Sequence, residues 1–283
     1  MDYMERVVSN EQSTEARAWL IELLAWWEGR VNTSPLQRYF NISRQSASKH
    51  LNQYLEQYPG ALEYRSDIKA YIPAASFRYH HISGDVAEYL NWVTGIAPAP
   101  PDNKLHHHVI QHPPRHISPD IIRPLVIALR ERRRVDVEYQ SVSSADSEER
   151  LISPHTFVNT GLRWHVRAWC EKNQDYRDFV LSRFRGQPDL QDGVSEYTAE
   201  QDVAWNTQVT LIIQPDPRLS DRQKAVIERD YLMQNGALLI QTRAALAQYT
   251  LQDLQVKTKM LDGNPAAQQL VLANYEEVKS WLF

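Results

Sequence analysis

Two stretches of this 283-residue chain concentrate side chains able to hold an anion. In the run Arg163-Trp164-His165-Val166-Arg167-Ala168-Trp169 an extended strand puts Arg163, His165, Arg167 and Trp169 on one side and Trp164, Val166 and Ala168 on the other. Guanidinium forks bind phosphate bidentately and aromatic rings stack on bases, so the first face suits an anionic, stackable ligand such as a nucleotide or an oligonucleotide. Arg183, in the strand-like run Phe179–Phe184, can join it. The alternative is a ladder in which these cations pair with Glu171, Asp175 and Asp178.

The second stretch is a helical run over residues 44–58. Ala47, Leu51, Tyr54 and Leu55 recur at helical spacing and form a packing side, while Arg44, Gln45, Ser46, Ser48, Lys49 and Asn52 lie opposite. Short polar and basic groups of this kind reach base edges and phosphates in a major groove, and Arg44 and Gln45 sit in the first turn, where a reading helix meets bases. Ser43, which ends the tight turn Asn41-Ile42-Ser43, joins the same set. The alternative is a solvated face on an ordinary helical domain.

Other chemistry is sparse. Five histidines lie within residues 106–116, but no carboxylate or cysteine beside them completes a metal site. Cys170 is the single cysteine, so no disulfide framework is expected, and its place in an apolar strand reads as a buried thiol. No Gly-rich phosphate loop, nucleophile elbow or zinc-protease pattern occurs. The expectation is therefore no catalytic residue, no metal and no cofactor. The basic run at 130–134 reads as a solvated helix end.

The elements that must position these residues follow from periodicity. Residues 14–28 read as a helix with Trp19, Leu20, Leu23, Leu24 and Trp27 on one apolar face. Ser34-Pro35 begins a short helix that ends near Phe40, with Ser34 as its cap. The 44–58 helix follows and Pro59-Gly60 closes it. Runs Leu62–Arg65 and Lys69–Ile72 read as a hairpin turning at Ser66-Asp67, whose Arg65 and Lys69 can grip phosphate. This order is a winged helix-turn-helix. A helix over 82–94 and a Pro-rich, histidine-bearing linker come next. Ser118-Pro119 starts a helix that Pro124 should kink or restart. From Val135 the period is two, in short strands that suggest a small barrel. From Trp205 the order is strand (Gln208–Ile213), helix (Leu219–Leu232), strand (Ala237–Thr242), helix (Ala244–Leu254) and a tail helix over 264–282. The expectation is a multidomain α+β chain: DNA-binding domain 1–95, linker 96–117, strand domain 118–200 and a C-terminal α+β extension 201–283.

A formal charge of -4 and a pI near 6.2 exclude a bulk polyanion binder but allow a specific DNA binder with one basic face. The first residues lack the pattern of a signal peptide, and the most apolar stretch, Trp19 to Trp27, carries Glu22 and is too short to span a bilayer. A cytoplasmic protein without membrane contact is expected.

The stretch from His155 to Phe184 resembles the WYL domain of bacterial transcription regulators. Ser141, the Pro154-His155 pair, Gly161 and the Phe-x-Leu-x-Arg at 179–183 fit that pattern, and the resemblance covers nearly the whole chain. The naming tripeptide is Trp164-His165-Val166, not Trp-Tyr-Leu, as in the subgroup that controls phage-defence islands (BREX- and CBASS-associated, BrxR/CapW type). The resemblance implies a winged helix-turn-helix, an Sm-like or SH3-like β-barrel and a C-terminal extension. It implies a homodimeric repressor on an inverted repeat of double-stranded operator DNA, with a nucleotide or nucleic-acid effector on the WYL domain. Carried onto this chain, the ligand candidates are Ser141, His155, Arg163, His165, Arg167 and Arg183. Two other readings stay open: an activator of the same architecture, and a nucleic-acid-processing or single-strand-binding protein.

Overall fold

The computed structural model describes residues 3–93, 117–142, 146–258 and 263–283, with side chains from residue 14 onward. Residues 96–116 of the expected linker, with all five clustered histidines, lie outside the described residues. Among the described residues no helix is long and apolar enough to cross a membrane, and no group of His, Cys, Asp or Glu side chains is arranged to hold a metal ion. The chain divides into two compact units, Met1–Ile152 with Leu181–Val194, and Ser153–Val180 with Ser195–Phe283.

The first unit is built on helix α1 (Tyr3–Glu28). A single apolar face is expected, yet Leu20, Ile21, Glu22, Leu23, Leu24, Ala25 and Trp27 are all buried. A helix buried on several faces sits at the centre of its unit. Helix α2 (Thr33–Phe40) is capped by Asn32, whose side chain accepts from the Ser34 N–H, not by Ser34 as the sequence suggests. Both residue types cap well, and Pro35 still falls in the first turn, where its missing N–H costs nothing. Asn41 ends α2 in the left-handed region (φ 50°), and Ser43 caps α3 (Arg44–Gln57) by accepting from the Ser46 N–H at 3.1 Å. Strands β1 (Leu62–Arg65) and β2 (Ala70–Pro73) pair antiparallel, with Arg65 opposite Ala70. The turn is Ser66–Lys69, and Lys69 takes the left-handed φ of 49° that a two-residue turn at Ser66-Asp67 would not need. Helices α4 (Val86–Val93) and α5 (Pro119–Glu131) complete the helical part, and α5 runs unbroken through Pro124.

The strand region gives β3 (Arg133–Tyr139), β4 (Glu148–Asn159), β5 (Trp164–Cys170), β6 (Asp175–Val180) and β7 (Phe184–Val194). Their order is β6-β5-β4-β3-β7. The expected Sm-like barrel is corrected here: the sheet is open, because closure needs the two end strands to pair and among the described residues β6 and β7 do not. The chain leaves β6 at Val180, passes a 3-10 turn (Leu181–Arg183) and pairs β7 with β3 instead. Arg183 is thus on that turn, not in a strand. The first unit holds β3, β7 and β4 up to Ile152; the second holds β5, β6 and the rest of β4.

The second unit continues with α6 (Val203–Asn206), β8 (Gln208–Pro215), α7 (Asp221–Asp230), β9 (Leu238–Arg243), α8 (Ala247–Asp253), β10 (Leu270–Leu272) and α9 (Tyr275–Val278). The antiparallel sheet β10-β8-β9 buries Leu211 and Ile213 against Ile227 of α7, Leu251 of α8 and Val278 of α9. The single tail helix expected over 264–282 does not form. Leu270 and Leu272 alternate as strand residues, and β10 pairs with Ile213–Pro215 of β8. That partner is distant in sequence, so helical spacing alone misleads.

Candidate nucleic-acid interface and effector cleft

On α3 the buried residues are Ala47, Leu51 and Tyr54, at the i, i+4, i+7 spacing of one helix face. Arg44, Gln45, Lys49 and Asn52 are exposed, with Ser46 and Ser48 half-buried at their margin. Gln45, Ser48, Lys49 and Asn52 keep the same spacing on the opposite side, so the sequence set shares one surface. Ser43 is exposed too, its Oγ committed to the helix cap.

What holds α3 in place is a residue the sequence reading used only to exclude a membrane span. Glu22 of α1 is fully buried. Its Oε1 accepts from the Tyr54 hydroxyl at 3.0 Å, and its Oε2 accepts from the backbone N–H groups of His80 and His81 at 2.8 and 2.6 Å. Burial, then the Glu22 charge, pushes the Tyr54 phenol well above its ordinary range, so it stays a donor at any relevant pH. An acidic residue inside the otherwise apolar stretch Trp19–Trp27 is the sequence signal.

On the wing Lys69 is exposed. Arg65 is exposed but forked onto Asp67, Nε to Oδ1 at 2.9 Å and Nη2 to Oδ2 at 2.7 Å. A pair this exposed is screened by water and weak, so a phosphate can displace Asp67 at small cost. Arg30 and Arg38, which sequence reasoning did not single out, are also exposed and line a cleft of about 470 Å3 beside Ile68 of the wing.

The predicted effector face looks different once folded. His165 and Arg167 are buried. Arg167 donates from Nε and Nη2 to Asp202 at 2.5 and 3.0 Å, and from Nη1 to Asp178 at 3.2 Å. His155 Nε2 lies 3.1 Å from Asp202 Oδ2, which makes Nε2 the donor and lets Nδ1 accept from the Thr156 hydroxyl at 2.8 Å. Asp202 also caps α6 through the Trp205 N–H. Burial pushes the Asp202 carboxyl up, but hydrogen bonds from His155 and Arg167 and the charge of Arg167 outweigh it and hold the group down at about 2. Tyr249 donates to Asp178 at 3.1 Å, and its ring lies 5.3 Å from that of His165. The alternative ladder is therefore partly real, since Arg167 does pair with Asp178. Asp202 is the partner missed, 35 residues from Arg167. Its one local signal is an acidic cap before the short run Val203-Ala204-Trp205.

Arg167, Asp178, Asp202 and Tyr249 border a cleft of about 650 Å3 within the second unit, and Trp169 and Tyr176 also line it, whereas His155 and His165 do not. The Trp169 ring stacks on Tyr197 at 4.1 Å, and its indole N–H is buried without a hydrogen-bond partner. Arg163 is half-buried. Ser141 and Arg183 belong to the first unit, where the Arg183 carbonyl accepts from the Gln140 N–H. Cys170 is buried, its thiol donating to Asn173.

A reading helix with a wing, an open five-stranded sheet and an α+β extension define a winged helix-turn-helix regulator of the WYL class. Family models match three successive stretches: the BrxR transcriptional regulator winged helix-turn-helix domain over residues 13–95, the WYL domain over 120–187 and the BrxR transcriptional regulator C-terminal dimerization domain over 208–278. The DNA-binding transcriptional repressor CapW of Pseudomonas aeruginosa is 33% identical over 94% of this chain and 90% of its own length. The CapW of Escherichia coli strain KTE188 is 33% identical over 95% of this chain and 91% of its own, and that of Stenotrophomonas maltophilia 32% over 93% and 90%. The chain belongs to the BrxR/CapW family of WYL-domain regulators.

Proposed function

We propose that this protein is a sequence-specific transcriptional repressor that binds an inverted repeat of double-stranded operator DNA as a homodimer, and so controls a phage-defence operon. The observation that carries this reading is the exposed Arg44, Gln45, Lys49 and Asn52 surface of α3 in a chain a third identical to DNA-binding repressors along nearly its whole length. Ser43, Ser46, Ser48, Arg65 and Lys69 would add cap and phosphate contacts. Arg44→Ala should weaken operator binding by about 1–3 kcal/mol if its guanidinium forks onto a guanine. A gel-shift titration with the chain's own upstream DNA measures this, and unchanged affinity removes Arg44 from the reading set.

Release by a nucleotide or nucleic-acid effector belongs to the same proposal, with His155, Arg163, His165 and Arg167 as contacts within the second unit. The cleft's aromatic walls favour a stacking ligand. Adding nucleotides or short oligonucleotides to the preformed operator complex tests release; an operator complex untouched by any of them leaves the repressor and removes the effector.

A further inference from the structure

The C-terminal sheet has one covered side and one bare one. Leu211 and Ile213 of β8 point into the core, so the residue between them, Ile212, points the other way. Leu239 of β9 is directly opposite Ile212 in the antiparallel register, hence on the same outer side, and it is 63% exposed. Thr210 and Gln241 are the next pair along and give this apolar spot a polar margin. Among the described residues β9 pairs with β8 alone, so its other edge is open.

An open edge is normally guarded, because its free N–H and C=O groups invite another strand. The six residues Leu238-Leu239-Ile240-Gln241-Thr242-Arg243 hold no proline or lysine. Their one charge is occupied: Arg243 stacks on the Trp205 ring at 4.6 Å and donates to the Trp205 carbonyl. An unguarded edge beside an exposed leucine is a surface built to be covered. The occupant follows from the match of residues 208–278 to a dimerization domain, a stretch that contains β8, β9 and α7. In a two-fold dimer the same patch meets itself, so one exposed strand serves both copies.

We propose that two copies of this chain associate through β9, by its open edge and the outer face of Leu239 and Ile212. The proposal rests on the dimeric reading above and names its surface. Sedimentation equilibrium of the full chain tests it. The wild type sediments as a dimer, and Leu239→Arg weakens self-association by about 30-fold or more, the loss typical of a central interface residue. Val226→Arg, on the solvent side of α7 and 56% exposed, leaves the dimer intact. Leu239→Ser, which removes apolar contact without adding charge, should shift the equilibrium the same way and replaces the arginine variant should that one lose its far-ultraviolet circular dichroism. A dimer that survives both Leu239 changes, or one that Val226→Arg loosens equally, overturns the β9 surface while leaving the dimer. A wild type that is monomeric at every concentration overturns the dimeric reading itself.

Discussion

Asp202→Ala should lower the stability of the second unit by about 3–5 kcal/mol, the cost of leaving a buried charge without its partner. The carboxylate is buried and accepts from His155, twice from Arg167 and from the Trp205 N–H. Truncation strands the Arg167 guanidinium with Asp178 alone and uncaps α6. Asp202→Asn keeps the shape and the cap but loses the charge, so it should fall between wild type and alanine. Urea denaturation of the three proteins measures the order; an alanine variant within 1 kcal/mol of wild type would mean that water replaces the carboxylate and the network is not structural. The consequence for signalling is direct. Arg167 is a committed structural cation, so a phosphate reaches it only by displacing Asp202 or Asp178, and loss of response in an Arg167 variant would mix recognition with folding.

The same contact has a pH signature. Asp202 is held at about 2 against an ordinary 3.8, so the folded state binds its proton less readily than the unfolded chain does. A depressed carboxylate contributes stability that is complete above about 4 and is lost as the pH falls through about 2, amounting to about 2–3 kcal/mol. The stability gap between wild type and Asp202→Asn should therefore be constant from pH 7 to 5 and close between pH 4 and 2. A gap that stays open at pH 2 would place its cause elsewhere.

Local patterns were readable in the sequence, and pairings across long stretches of chain were not. The helix-turn-helix is legible because each part carries its own signal: Ala47 and Leu51 at helical spacing, and Asn41-Ile42-Ser43 as the turn between the helices. Strand β5 is visible from its alternation, and pairing of its cations with Asp178 is within reach of the sequence, but the main partner of Arg167, Asp202, lies too far along the chain to be read. Strand β7 is not legible in the sequence because Phe184–Val194 contains Gly186, Pro188 and Gly193, a turn-like composition that an edge strand tolerates and a central one does not. The barrel failed for a related reason: alternation shows that strands exist, whereas closure depends on which end strands meet.

Glu22→Ala should cost about 1–3 kcal/mol and weaken operator binding without touching a base-facing residue, since the buried Tyr54 hydroxyl is left unsatisfied. Three donors depend on this carboxylate: the Tyr54 hydroxyl on α3 and the His80 and His81 N–H groups in the segment after the wing. One buried side chain thus ties the reading helix and the segment behind the wing to α1. Glu22→Gln separates positioning from charge. Its carbonyl oxygen can still accept from the two backbone N–H groups, and its amide can donate to the Tyr54 oxygen, so geometry and most of the operator affinity should return. Tyr54→Phe removes only the hydroxyl and should give a smaller loss than Glu22→Ala, because the two backbone bonds survive. Gel shift and denaturation on the same three variants decide the matter. If Glu22→Ala lost stability but bound operator as wild type does, the carboxylate would hold the domain together without setting the angle of α3; if Glu22→Gln were as damaged as alanine, the negative charge itself, not the hydrogen-bond geometry, would be what the helix requires.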